Sequence, residues 1–141
     1  MPTIKHTITI AAPLNTVETL VKTPQGLAAW WAEDVAARDG QSTVELGFFN
    51  RSTVYRLSPE SGDSTARWRV ETGQEWAGTH LVFRLRPVDD KTQLEFAHED
   101  WVAETPYFTS CNTVWGHLMF YLKDAAERGR QRPFFTKSGT K

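Results

Sequence analysis

The stretch TPYFTSCNTVWGHLMFYLKDAAERG, residues 105–129, decides the fold. Thr105 stands where a hydroxyl can cap a helix, Pro106 where its missing N–H costs nothing, and Gly129 where a left-handed stop is wanted. Between them Phe108, Cys111, Trp115, Leu118, Leu122 and Ala125 recur at steps of three and four, so one apolar stripe runs down one face. About 23 residues at roughly 1.5 Å each make a rod of about 35 Å. A rod of that length can lie across a whole sheet, and its stripe must be buried against something.

Upstream, the period of the apolar residues changes from helical to alternating. Val44, Leu46 and Phe48 alternate with Thr43, Glu45 and Gly47, and Val54 to Leu57 follow the turn-like Asn50-Arg51-Ser52. Pro59, Ser61, Gly62 and Asp63 form a turn cluster, after which Ala66, Trp68 and Val70 share a face. Leu81, Phe83 and Leu85 alternate next, then Leu94, Phe96 and His98. Short turns between such runs predict an antiparallel meander from about residue 35 to 100, with one apolar face. The chain begins with a further strand, Thr3 to Ile10, in which Ile4, His6, Ile8 and Ile10 share a face. Two short helices follow, one after Pro13 and one capped by Thr23-Pro24 and running through Leu27, Trp30 and Trp31. Strand, two short helices, further strands and one long helix make an α+β domain whose long helix covers the apolar face of an antiparallel sheet of about six to seven strands.

At 141 residues the chain fits one domain, and its 40% hydrophobic and 23% charged content is globular. The domain is expected over residues 1–130, with 131–141 as a basic, flexible tail that is polar apart from Phe134-Phe135. A net charge of -1 argues against a nucleic-acid binder relying on a strong positive field. The single Cys allows no internal disulfide, and the polar, alternating amino end lacks the pattern of a signal peptide. A cytoplasmic protein without a membrane segment is therefore expected. Six Trp, three Tyr and eight Phe are many rings for one small core. Taken as composition, they read either as ordinary packing or as the wall of a ligand cavity.

Four segments, in their order and spacing, resemble a known family: Thr23-Pro24-Gln25-Gly26-Leu27-Ala28-Ala29-Trp30-Trp31, Trp76-Ala77-Gly78-Thr79-His80-Leu81-Val82-Phe83, Thr92 to Trp101, and Cys111-Asn112-Thr113-Val114-Trp115-Gly116 with Leu118, Leu122 and Glu127-Arg128-Gly129. The likeness is to the START-related (SRPBCC) superfamily, in the branch of the activator of heat-shock protein 90 ATPase homologue 1, also called polyketide-cyclase-like. It spans about residues 3 to 130. It implies a helix-grip fold, in which a curved antiparallel sheet wraps a long carboxyl-terminal helix around a cavity for apolar or aromatic molecules. It does not carry chaperone stimulation, which belongs to a separate domain of the eukaryotic co-chaperone.

On that resemblance the expected cavity wall comprises Trp30, Trp31, Phe48, Tyr55, Trp68, Trp76, Phe83, Phe96, His98, Trp101, Phe108, Cys111 and Trp115. Adjacent Trp30 and Trp31 point about 100° apart on a helix, so one should pack inward and the other reach the cavity mouth or solvent. His98, on the inward parity of its strand, is the one candidate to orient a polar ligand group or to act as acid or base; the alternative is a His satisfied inside the core. His6 carries the same two readings. Cys111 reads as a small buried hydrophobe. No histidine pair or thiolate cluster has metal-binding spacing, and neither metal nor cofactor is expected. Phe120, on the polar side of the long helix, would pack under Phe134-Phe135 or mark a dimer contact. The expected function is binding of a small apolar or aromatic molecule by a monomer or homodimer, with Tyr55 or Tyr107 as further orienting groups. Its rivals are an enzyme of cyclase, dehydratase or hydrolase type acting on such a ligand, and a stress-related protein-interaction module.

Overall fold

The computed structural model describes residues 1–38, 43–62 and 64–137, and the backbone of 139 and 140; Asp63 of the expected turn and Lys141 of the tail lie outside the described residues. Seven strands form one antiparallel sheet: β1 (Ile4–Ile10), β2 (Asp34–Arg38), β3 (Thr43–Phe48), β4 (Thr53–Pro59), β5 (Ala66–Val70), β6 (His80–Val88) and β7 (Lys91–Glu99). Their order is β1-β7-β6-β5-β4-β3-β2, so the meander runs from β2 to β7 and β1 closes onto its far end. The helices α1 (Leu14–Lys22) and α2 (Pro24–Trp30) carry the chain from one edge strand to the other, and α3 (Pro106–Arg128) packs on the inner face. The α+β helix-grip architecture is thus present. A short pair, β8 (Phe135–Thr136) and β9 (Gly139–Thr140), ends the chain.

Register explains the core. Ala66 stands opposite Phe83, Phe83 opposite Phe96, and Phe96 opposite His6, which makes one inward row across four strands. A second row runs through Val44, Leu57 and Val70. The stripe of α3 buries Phe108, Cys111, Trp115, Leu118, Met119, Leu122 and Ala125, with Trp115 against Phe96 of the first row at 4.3 Å. Its ends are fixed as the sequence predicts. The Thr105 hydroxyl accepts from the Phe108 N–H at 3.2 Å, and Gly129, at φ 66°, donates its N–H to the Ala125 carbonyl.

Two tryptophans secure α1, whose last carbonyls have no partner within the helix. Trp30 Nε1–H donates to the Leu20 carbonyl at 2.9 Å and Trp68 Nε1–H to that of Val21 at 3.0 Å. The approach of α2 to α1 requires glycine at 26, because a Cβ there would meet the Thr19 carbonyl oxygen at 2.2 Å. On the outer face, buried Glu45 is held by the guanidinium groups of Arg56, Arg38 and Arg51, and Arg56 foremost pulls its pKa down to about 2. Arg51 also forks onto Asp34 at 3.0 Å for each bond, which ties the β3–β4 turn to β2.

Candidate functional site

The inward residues divide into a closed polar knot and an open cavity. His98 forms the knot. It is fully enclosed, its Nδ1 accepts from Trp115 Nε1–H at 3.1 Å, and its Nε2 lies 2.8 Å from Thr79 Oγ1. An indole N–H can only donate, so Nδ1 carries no proton and Nε2–H donates to Thr79. The Thr79 hydroxyl donates onward to the Trp76 carbonyl at 2.6 Å. Burial, with a smaller contribution from His80, depresses the His98 pKa to about 3. The imidazole is therefore neutral, fully bonded and off the cavity wall. Its role is to fix Trp115 of α3 and the β5–β6 loop that carries Trp76.

The cavity lies beside this knot and has a volume of about 480 Å³. Trp31 just past α2, Phe48 of β3, Tyr55 of β4, Trp76, and Cys111 and Trp115 of α3 make its inner wall. Trp76 stacks on Tyr55 at 4.3 Å and lies nearly parallel to Trp115 at 6.0 Å. Gly73 permits this, since its φ is 122° and a Cβ would meet the Tyr55 ring at 2.3 Å. Three polar groups, Tyr55, Tyr107 and Cys111, cluster together on the wall. The Tyr55 and Tyr107 hydroxyls are hydrogen-bonded at 2.5 Å, and burial raises the pKa of both. Burial also raises the Cys111 thiol, against the opposing pull of Trp76 and Tyr107. Trp76 Nε1–H lies near enough to that thiol to act on it, yet makes no properly oriented hydrogen bond.

Another wall comes from the segment expected as a flexible tail. Arg132, Phe134 and Phe135 donate their N–H groups to the carbonyls of Ala29, Trp30 and Trp31 at 2.9, 3.0 and 2.9 Å. Glu33 N–H returns a bond to the Phe135 carbonyl at 2.8 Å. The end of α2 leaves those carbonyls free, and the tail takes them up. Phe135 then meets Phe48 edge-on at 4.9 Å, while Phe134 packs on Tyr121 at 5.2 Å and His117 at 5.9 Å. Phe120 stays 64% exposed, so it is Tyr121 that the tail covers.

Of the residues expected on the wall, Trp31, Phe48, Tyr55, Trp76, Cys111 and Trp115 line the cavity. Trp30, Trp68, Phe83, Phe96, His98, Trp101 and Phe108 do not; all seven are buried in the surrounding core. Trp30 and Trp31 are both buried and stack at 5.7 Å, the first facing α1 and the second the cavity. Phe49, Thr53, Tyr107, Ser110, Val114, Leu118, Phe134 and Phe135 complete the lining. For Phe134-Phe135 the signal was there to read: two adjacent rings in a polar, basic stretch. His6, half-buried beside Gly116, has an unpartnered Nε2 and does not line this cavity. Among the described residues no three His, Cys, Asp or Glu side chains are grouped to hold a metal, and no helix is long and apolar enough to cross a membrane.

No family model and no curated protein matches the chain. Solved structures do. The solution structure of the Aha1 dimer from Colwellia psychrerythraea superposes with a TM-score of 0.77 at 27% identity, over 92% of this chain and 98% of that one. A START superfamily protein from Mycobacterium smegmatis gives 0.69 at 15% identity, over 89% and 97%. DynU16, a putative protein in the dynemicin biosynthetic locus, gives 0.69 at 14%, over 92% of this chain and 48% of that one. With its seven-stranded sheet gripping α3, the chain has the fold of the START-related (SRPBCC) superfamily in its Aha1-like form.

Proposed function

We propose that the protein binds a small apolar or aromatic molecule in the cavity between β3, β4, α3 and the carboxyl-terminal segment. The observation that carries this reading is the cavity itself. Its volume of about 480 Å³ falls within the roughly 300 to 1,000 Å³ common for ligand sites. Its wall is mostly rings and aliphatic side chains, with few polar groups. Each Å² of apolar ligand surface removed from water there contributes about 25 cal/mol. The titratable wall groups are suited to holding a ligand by hydrogen bonds. Tyr55, Tyr107 and Cys111 are all shifted toward their neutral forms, so they donate hydrogen bonds and do not abstract protons at neutral pH.

The test is fluorescence titration with the neutral probe N-phenyl-1-naphthylamine. Saturable binding at one site in the micromolar range is expected, and Val114→Trp, which fills the cavity from α3, should abolish it. A titration that does not saturate, or one that Val114→Trp leaves unchanged, removes this reading.

A further inference from the structure

The wall that makes the cavity apolar also sets the charge of what it can hold. Resting on the binding role proposed above, we infer that the cavity selects a neutral ligand bearing an oxygen acceptor, such as an aryl ketone or aldehyde, and rejects the carboxylate of the same shape, with the Tyr55–Tyr107 hydroxyl pair as the donor.

Three observations carry this. First, no Asp, Glu, His, Lys or Arg is among the described residues of the wall, so an anion entering it meets no counter-charge. The charge that acts on Tyr55 and Cys111 is the carboxylate of Glu75, which is held by the Thr105 hydroxyl and has the same sign as the excluded ligand. A buried, unpaired carboxylate is costly, and a like charge nearby adds to the cost.

Second, the protons do not balance inside the protein. Two phenols carry two hydroxyl protons, and the bond between them uses one. Among the described residues no protein oxygen takes the remaining hydroxyl proton; water at the rim, where Tyr107 is 38% exposed, or the weakly accepting Cys111 sulfur receives it. A carbonyl oxygen from a ligand takes the place of that water and is the stronger acceptor beside the sulfur. Because burial raises the pKa of both phenols, they keep their protons at neutral pH and remain donors.

Third, the donors stand where an aromatic ligand needs them. Tyr55 is buried and stacked on Trp76, whereas Tyr107 is 38% exposed at the rim. A ring lying along Phe48 and Trp31 therefore turns its substituent toward the hydroxyl pair. The other wall hydroxyls, Thr53 and Ser110, are more open to water than Tyr55 and orient a ligand less strongly.

The test is isothermal titration calorimetry at pH 7 with three probes of one shape: 2-acetylnaphthalene, 2-isopropylnaphthalene and 2-naphthoate. The ketone should bind tightest and the hydrocarbon about three- to tenfold more weakly, the range of one hydrogen bond. The carboxylate should be weaker than the ketone by about a hundredfold or more. Tyr107→Phe alone should keep the ketone's preference, because it frees the Tyr55 hydroxyl. The double variant Tyr55→Phe/Tyr107→Phe should bring the ketone down to the affinity that the hydrocarbon shows for that same variant. A carboxylate that binds as tightly as the ketone overturns the inference, as does a double variant that weakens ketone and hydrocarbon alike. The wild-type ranking decides the matter even if the double variant does not fold. Hydrocarbon binding without any ketone preference overturns the selection and leaves the binding role standing; failure of all three probes overturns both.

Discussion

Lowering the pH from 7 to 5 should weaken this fold through one side chain, His98. In the folded protein burial brings its pKa down to about 3, from an ordinary value of 6.5. Protonation would turn Nδ1 into a donor facing the Trp115 N–H that it now accepts, with no carboxylate among its hydrogen-bond partners to offset the charge. Between those two pKa values the unfolded chain takes up a proton that the folded chain refuses. The contribution of neutral His98 is therefore intact above about pH 6.5 and declines as the pH falls toward 3, by about 1.4 kcal/mol per unit. From pH 7 to pH 5 the loss comes to about 2 kcal/mol. That is a sizeable share of the roughly 5 to 15 kcal/mol that holds a domain together. Urea unfolding at pH 7, 6 and 5 reads it, with His98→Gln as reference because an amide can donate and accept in the same place without titrating. Other titrating groups cancel in the comparison. The wild type's advantage over His98→Gln should shrink by about 2 kcal/mol across that range. An advantage constant to within about 0.5 kcal/mol would mean that the imidazole is not held neutral, and the reasoning fails.

Gly73→Ala should destabilise by more than about 1 kcal/mol, because it meets both a left-handed φ and the Tyr55 ring. It should also weaken probe binding as Tyr55 leaves Trp76; urea melts and probe titrations read the two effects. For Glu45 the shift is downward, so its contribution is complete above the ordinary pKa of 4.5 and is lost as the pH falls toward 2. Glu45→Gln should cost about 1 kcal/mol at pH 7, after screening through guanidinium groups 39% to 54% exposed, and should flatten the acid side of the stability profile. Phe135→Ala should leave the melting temperature nearly unchanged while weakening N-phenyl-1-naphthylamine about tenfold, because the ring is a wall of the cavity and only half-buried in the fold.

Much of the fold could be read directly. Thr105-Pro106 and Gly129 bounded α3, and alternation located β3 through β7, because caps and period are local properties. The strand β2, Asp34–Arg38, lies at the start of the expected meander, yet no apolar pattern of its own marks it. It is an edge strand of five residues without a clean apolar alternation, and it exists because Arg51 and β3 hold it. The docked tail was missed, since its binding partners are the free carbonyls of a helix about a hundred residues earlier. The site was legible only in part, for one reason. Alternation tells which face a ring points to, not where along the curved sheet it lies. Phe48 and Phe83 share the inward face, yet one lines a void and the other is fully packed against Phe96 and Trp30. His98 shows the same gap, because the sequence gives its parity but not the Trp115 and Thr79 groups that satisfy it.

The division of the six tryptophans tests the central claim most directly. In a ¹H–¹⁵N titration with 2-acetylnaphthalene, the indole N–H signals of Trp31, Trp76 and Trp115 should move saturably, because those rings line the cavity. The signals of Trp30, Trp68 and Trp101 should stay nearly fixed, the first two pinned to α1 carbonyls and the third enclosed against His98. Six unmoved signals, or movement confined to Trp30, Trp68 and Trp101, would contradict the account.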